Sequence, residues 1–405
     1  MEGQHIIDRE RLFGAQNYAP LPVVLSHGRG AHLFDVAGKR YIDMMSAYSA
    51  ASFGHLNPRL VKAARDQLER LDIVSRAFHS DNLGAFCQEL AEFCGLDACL
   101  IMNTGAEAVE TAIKAARRYA YDELAILPDA AQIIVAHGNF HGRTTTIVGF
   151  SDDPGARRGF GPFAPGFTHV PFGDAGALER AITASTAAVL VEPVQGEGGV
   201  IVPPRGYLSD LRRICDRHGI LLIFDEVQSG FGRTGRDFAW MREEARPDGM
   251  TVGKALGGGI LPVSAFVARR ALMNVFTPGS HGSTFGGNPL AAAVGREAIA
   301  LMREEQLSAR SERLGAILIE AIAALRSPAV IALRGRGLWV GVELDPRVRG
   351  KDVCLALLRR GVLAKETHDT VLRLAPPLVI EEAELLEAVG ALGEALEEMA
   401  PAQAG

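Results

Sequence analysis

Aromatic residues are scarce in this chain: 6% of 405 residues, with two tryptophans and six tyrosines. Cysteine is scarcer still, at five, an odd number without C-x-x-C spacing. That argues against a disulfide framework, suits a reducing compartment, and leaves no metal expected. Cys215 lies in a helical apolar pattern, as a small core residue would. No run approaches the ~20 apolar residues of a membrane helix. The opening "MEGQHIIDRERLFG" lacks an apolar stretch of the secretory kind, so no such signal is expected. Clustered basic residues are missing too. The net charge is −6 with both signs interspersed, which excludes a nucleic-acid footprint and indicates solubility. These absences point to a cytoplasmic protein of enzyme size, bound to neither nucleic acid nor membrane.

What is present is apolar sequence for two to three domain-sized units, 48% of the chain. Residues 20–45 alternate apolar and polar positions around an "AGK" turn, which predicts a small antiparallel ribbon. From about 58 to 290, apolar runs alternate with helical ones. "ACLIMN", "QIIVAHG", "AAVLVEP", "ILLIFDE", "MTVGK" and "VSAFVA" read as buried strands, and "GYLSDLRRICDRHG" as a helix ended by Gly219. The expectation is an α/β fold with a mainly parallel central sheet and its site outside the carboxyl ends of the strands. After about 308 the order becomes helix, strand pair, helix, strand, helix, as in a smaller α+β domain. The expected division is an N-terminal segment at 1–52, a large domain at 53–307 and a C-terminal small domain at 308–405, with the tail "PAQAG" frayed.

Three stretches carry chemistry. In "TVGKALGGGILP", Lys254 ends a strand and precedes three glycines, an odd place for an amine. In "ILLIFDEVQSGFGRTG", Asp225 ends a buried strand, where a carboxylate must meet a cation or a donor. In "CLIMNTGAEAVETAIKAARRYA", Gly105 turns the chain into a helix whose first N–H groups are free for a phosphate. Thr104 and Glu107 there have capping-box spacing. Each stretch alone also has an ordinary reading: a snorkelling lysine, an N-capping aspartate, a capped helix. Together they fit one ligand. Pyridoxal phosphate needs an amine for its aldehyde, a carboxylate for its ring nitrogen and a cradle for its phosphate. A rival reading rests on Gly230–Gly235, which matches G-x-G-x-x-G. It follows two carboxylates and has no acidic residue some 20 positions on, both unlike a dinucleotide fingerprint. A binding protein that has kept the fold without activity is the other rival.

"NTGAEAVETAIKAARRY", "FDEVQSGFGRTG", "GKALGGG" and "GSHGSTFGGNPLA" resemble, in order, the class III aminotransferases of fold type I, over about residues 17–390. The resemblance implies a fold type I large domain with a smaller domain built from both chain ends. It also implies pyridoxal 5'-phosphate as cofactor and a homodimer with shared active sites. It makes Lys254 the cofactor lysine and Asp225 the partner of the ring nitrogen. Gly105 and Ala106 become phosphate donors, Phe140 stacks on the ring, Val227 lies on its other face and Gln228 bonds its hydroxyl. Thr284 would reach the phosphate of the neighbouring subunit.

Within that family the chain is most similar to the ornithine δ-aminotransferase branch, through Tyr18, Tyr48, Glu197 and Arg373. Acetylornithine aminotransferases generally lack tyrosines at the first two positions. The resemblance implies a ping-pong exchange between the δ-amine of ornithine and a 2-oxo acid. Tyr18 and Arg143 would hold the carboxylate far from the reacting carbon. Arg373 would take the near carboxylate of glutamate, and Glu197 would mask Arg373 while ornithine binds. Interface packing for the tyrosines and a structural ion pair for Glu197 and Arg373 stay open. His141 stands where some relatives carry tryptophan and bears on pocket polarity.

Overall fold

A computed structural model describes residues 3–399. The tail, residues 401–405, lies outside the described residues. Near the N-terminus, β1 (Leu25–Arg29), β2 (His32–Asp35) and β3 (Arg40–Asp43) form the expected antiparallel ribbon. Gly38, at φ 83°, makes the turn between β2 and β3.

The central sheet contains β4 (Ala98–Met102), β5 (Gln132–Ala136), β6 (Phe167–Val170), β7 (Thr186–Val191), β8 (Leu221–Asp225), β9 (Gly249–Val252) and β10 (Ser264–Ala268). Their order is β4-β10-β9-β8-β7-β5-β6. Neighbours from β9 through β6 are parallel, and β10 runs antiparallel to both β4 and β9. All six expected buried runs are strands. Every residue of β7, β8, β9 and β10 is buried, which is why these runs show no alternation. Leu222, Ile223 and Phe224 alone contribute about 1.5–3 kcal/mol each by burial. The Tyr207–His218 helix buries Tyr207, Leu208, Leu211, Ile214 and Cys215 on one face and ends at left-handed Gly219.

The C-terminal region departs from expectation in its single late strand. After β11 (Val330–Gly335) and β12 (Val340–Leu344) come three short strands, β13 (Val362–Leu363), β14 (Lys365–Thr367) and β15 (Val371–Leu374). β13 leaves this region and joins β3 in parallel, with Val362 opposite Ile42. β15 pairs with β12 and β14 pairs with β15, giving a sheet of order β11-β12-β15-β14. Both chain ends therefore share one sheet. Among the described residues no helix is long and apolar enough to cross a membrane.

Candidate active site

Five strands of the central sheet deliver residues to one place, outside their carboxyl ends. Asp225 closes β8, and Glu192 follows β7. The loop after β5 brings Phe140, His141 and Gly142, the loop after β9 brings Lys254, and the turn after β4 brings Gly105 and Ala106. These residues, with Val227 and Gln228, line a cavity of about 190 Å³.

Lys254 does not end the strand itself. β9 stops at Val252, and Lys254 opens a 3-10 turn with φ 45°. A lysine in that region is strained by ~1–2 kcal/mol, held by the packed structure around it. Burial lowers its proton affinity, against the opposing pull of Glu197, Asp225 and Glu192. The amine is thus easier to deprotonate than a surface lysine, as a nucleophile requires.

Asp225 is buried and fully partnered. Its Oδ2 lies 2.7 Å from His141 Nδ1, while Oδ1 accepts from Thr251 Oγ1 at 2.9 Å and Val227 N at 3.1 Å. Burial depresses His141's proton affinity, but the bond and charge of Asp225 outweigh it, and the net shift is upward. His141 Nε2 is buried without a partner. Glu192 accepts from Phe140 N at 3.0 Å and Gly196 N at 3.2 Å, so it fixes the loop that carries Phe140. Burial pushes Glu192 up to about 7, with His141 opposing.

At the cradle, Thr104 and Glu107 form the expected capping box at the start of the Gly105–Glu123 helix. The N–H groups of Gly105 and Ala106 open that helix and so have no acceptor within it, and both residues line the cavity. A Cβ on Gly105 would meet Val227 Cγ1 at 2.9 Å, so only glycine leaves this approach open. Gly142, at φ 130°, is likewise required where its Cβ would meet that of Ala106 at 2.9 Å.

The cradle, the buried carboxylate and the low-affinity lysine in one cavity fit pyridoxal phosphate. The G-x-G-x-x-G stretch does not serve a dinucleotide. Arg233 inside it is fully buried and donates to Leu338 O, Pro376 O, Ser46 Oγ and Ser52 Oγ at 2.9, 2.6, 3.1 and 2.9 Å.

A second cavity of about 570 Å³ adjoins the first and shares Phe140, His141 and Gly142 with it. Arg143 and Glu197 line it. The Arg143 guanidinium lies 5.4 Å from the centre of the Phe140 ring. On β15, buried Arg373 donates from Nη1 to Glu197 Oε1 at 2.5 Å. Tyr48 stacks on the arginine, its ring centre 5.1 Å from the Arg373 guanidinium. Tyr48 reaches there through four consecutive non-glycine residues of positive φ, Ser46 to Ser49. Asp43 Oδ1, which accepts Met45 N and Ser46 N at 2.8 and 3.0 Å, and the Ser46 Oγ bond to Ala375 O at 2.7 Å pin that turn.

Two expected residues stand apart from this group in the single chain. Tyr18 is 79% exposed, and Thr284 is exposed beside Phe285, itself 59% exposed. Sequence reasoning missed Glu192 and Thr251 altogether and did not pair His141 with Asp225. The quoted run "AAVLVEP" contains Glu192, and a charged residue directly after a buried strand was the available signal.

The family model "Aminotransferase class-III" matches residues 13–396. Ornithine aminotransferase 2 of Staphylococcus aureus is 50% identical over 384 residues, covering 95% of this chain and 96% of that protein. A solved ornithine aminotransferase from Toxoplasma gondii, with pyridoxal phosphate at partial occupancy in its active site, superposes with a TM-score of 0.96. It is 42% identical and covers 97% of this chain and 94% of that one. Acetylornithine aminotransferase from Elizabethkingia anophelis gives a TM-score of 0.89 at 41% identity, over 98% and 99% of the two chains.

Proposed function

This chain belongs to the class III aminotransferases, of fold type I and dependent on pyridoxal phosphate, and from that premise we propose that it is an ornithine δ-aminotransferase. It transfers the δ-amine of L-ornithine to 2-oxoglutarate. The products are glutamate-5-semialdehyde, which closes to pyrroline-5-carboxylate, and glutamate. The observation that carries the reading is the Arg373–Glu197 pair, with Tyr48 stacked on the arginine.

When bound, pyridoxal phosphate supplies an aldehyde that takes up an amine and a pyridinium ring that accepts electrons as a proton leaves. Lys254 would hold it, Asp225 would face its ring nitrogen, and Gly105 and Ala106 would meet its phosphate. Phe140 and Val227 would flank its ring, with Gln228 at its hydroxyl. Lys254 Nζ takes up the proton that leaves the donor's δ carbon, and its lowered proton affinity keeps it competent as a base. Asp225, oriented by His141 and Thr251, contributes a fixed negative charge where positive charge is needed.

Substrate choice follows from charge. A free arginine near the reacting carbon would attract ornithine's α-carboxylate and so present the wrong amine. With Glu197 on Arg373 that attraction is neutralised, and ornithine's amino-acid end goes instead to Arg143 and Tyr18. Glutamate carries two carboxylates, and its near one displaces Glu197 from Arg373. Guanidinium forks suit both tasks.

Exposed Tyr18, Thr284 and Phe285 support a homodimer in which a second copy covers them and Thr284 serves the neighbour's cofactor. Five free cysteines support a cytoplasmic location. The test is an amine panel of ornithine, N-acetylornithine, 4-aminobutyrate and lysine, with 2-oxoglutarate as acceptor and products identified by mass. Ornithine should be the preferred donor and yield the δ-product. Faster turnover of N-acetylornithine would move the chain to that neighbouring activity.

A further inference from the structure

A separate cavity of about 500 Å³ opens between the Leu307–Ala324 helix and the turn Gly335–Gly337. None of its lining residues lines either cavity of the active site. Its walls carry three guanidinium groups, Arg205, Arg242 and Arg336, and two carboxylates, Glu243 and Glu312. Both carboxylates are already engaged. Glu312 takes the Arg242 Nη1 and Nη2 groups at 3.1 and 2.5 Å. Glu243 accepts the N–H groups of Gly206, Leu208 and Ser209 at 3.1, 2.9 and 3.3 Å, closing the start of the Tyr207–His218 helix.

Positive charge is therefore left over. Arg336 is half-buried and Arg205 exposed, and neither side chain makes a hydrogen bond or ion pair among the described residues. Buried Arg242 Nε also lacks an acceptor. Burial, followed by the charge of Arg242, lowers the proton affinity of Arg336, and Glu243 and Glu312 do not make up the difference. Holding a cation away from water without a partner is costly unless an anion arrives.

The backbone holds Arg336 in place. Arg336 N donates to Trp339 O at 3.1 Å. Gly337, at φ 56°, lies against Arg233, whose carbonyl oxygen would be 2.6 Å from an added Cβ. On the facing helix, a Cβ at Gly315 would fall 2.0 Å from Gly337 O, so helix and turn touch backbone to backbone. Arg336 thus stands on a turn packed firmly against the helix, and the volume lies within the ~300–1,000 Å³ of small-ligand sites.

We propose that this cavity binds a small metabolite with two or more oxyanion groups, a phosphate compound or a polycarboxylate, through Arg336, Arg205 and Arg242. Guanidinium forks recognise both kinds of group. Calorimetric titration of the pyridoxal-phosphate holoenzyme with inorganic pyrophosphate and, separately, with citrate tests this. The comparison forms are the Arg205→Ala, Arg336→Ala double variant and Arg373→Gln. At least one of the two anions should bind once per chain, tenfold or more weaker in the double variant and unchanged in Arg373→Gln. Whichever binds tighter identifies the class. Because neither Arg205 nor Arg336 has a partner to lose, thermal midpoints should not fall below wild type, and Arg336→Gln checks the result with side-chain volume kept. Absence of saturable binding by both anions, or binding that survives the double variant, overturns the proposal.

Discussion

His141 Nδ1 and Asp225 Oδ2 lie 2.7 Å apart with both side chains buried, although 84 residues separate them in sequence. Asp225 is the last residue of β8, and His141 comes from the loop beyond β5, two places away across β7. The pairing sets both the position and the compensation of the carboxylate assigned to the cofactor ring.

Asp225→Asn nearly keeps the shape and removes the charge. It should fold and bind cofactor, while turnover falls by about a hundredfold or more, the size of a lost preorganised charge. His141→Asn keeps a donor toward Asp225 but cannot become a cation. It should cost less, about tenfold, and shift the pH profile of kcat/KM. Wild-type turnover in Asp225→Asn would make the residue structural, and an unmoved profile in His141→Asn would limit His141 to packing.

Lys254 should carry the cofactor. Borohydride treatment of the holoenzyme should leave one cofactor mass on the peptide that contains Lys254, and Lys254→Ala should lose turnover. The outcome against the assignment is a label on any other lysine.

Glu226 gives a pH prediction. It is 1% exposed and accepts from Ser229 Oγ at 2.5 Å and Trp240 N at 3.0 Å. Burial pushes it from an ordinary 4.5 up to about 7. Between those values the folded chain keeps a proton that the unfolded chain releases. The contribution of the protonated group is full below pH 4.5 and lost as pH rises through about 7. Glu226→Gln abolishes this titration. Relative to wild type, the variant should therefore gain about 1–3 kcal/mol between pH ~5 and ~8 in denaturant titrations. A constant difference between the two conditions would mean that Glu226 stays ionised throughout.

The central sheet was legible because its inner strands are buried on both faces and read as unbroken apolar runs. β6, "FTHV", escaped because it is an edge strand with polar Thr168 and His169 and only partial burial. Lys254 was legible by type and by its glycine-rich setting. Its left-handed backbone was not, since tertiary packing imposes it. The "SAYS" turn was hidden for the same reason: it contains no glycine, and its positive φ values depend on Asp43 and Ala375. The role of the Gly230–Gly235 stretch was not legible, because Arg233 within it is held by Ser46, Ser52, Leu338 and Pro376, far along the chain.

The ion pair between Glu197 and Arg373 makes the sharpest claim about specificity. Arg373 is 6% exposed, so its charge is poorly screened and Glu197 is its nearest compensation. Glu197→Ala frees Arg373 in both half-reactions. An α-carboxylate bound there brings an α-amine to the cofactor. The variant should process glutamate as well as wild type or better, and shift ornithine from δ- towards α-amine transfer. A change in discrimination of ten- to a hundredfold corresponds to about 1.4–2.8 kcal/mol of transition-state free energy, a reasonable size for unmasking one buried charge. Tyr18→Ala should act differently, weakening ornithine while affecting glutamate less. The measurement is the ratio of the glutamate and ornithine half-reaction rates in Glu197→Ala, with the ornithine products separated by mass. If both rates fall equally and only the δ-product forms, Glu197 holds Arg373 in place without choosing the substrate.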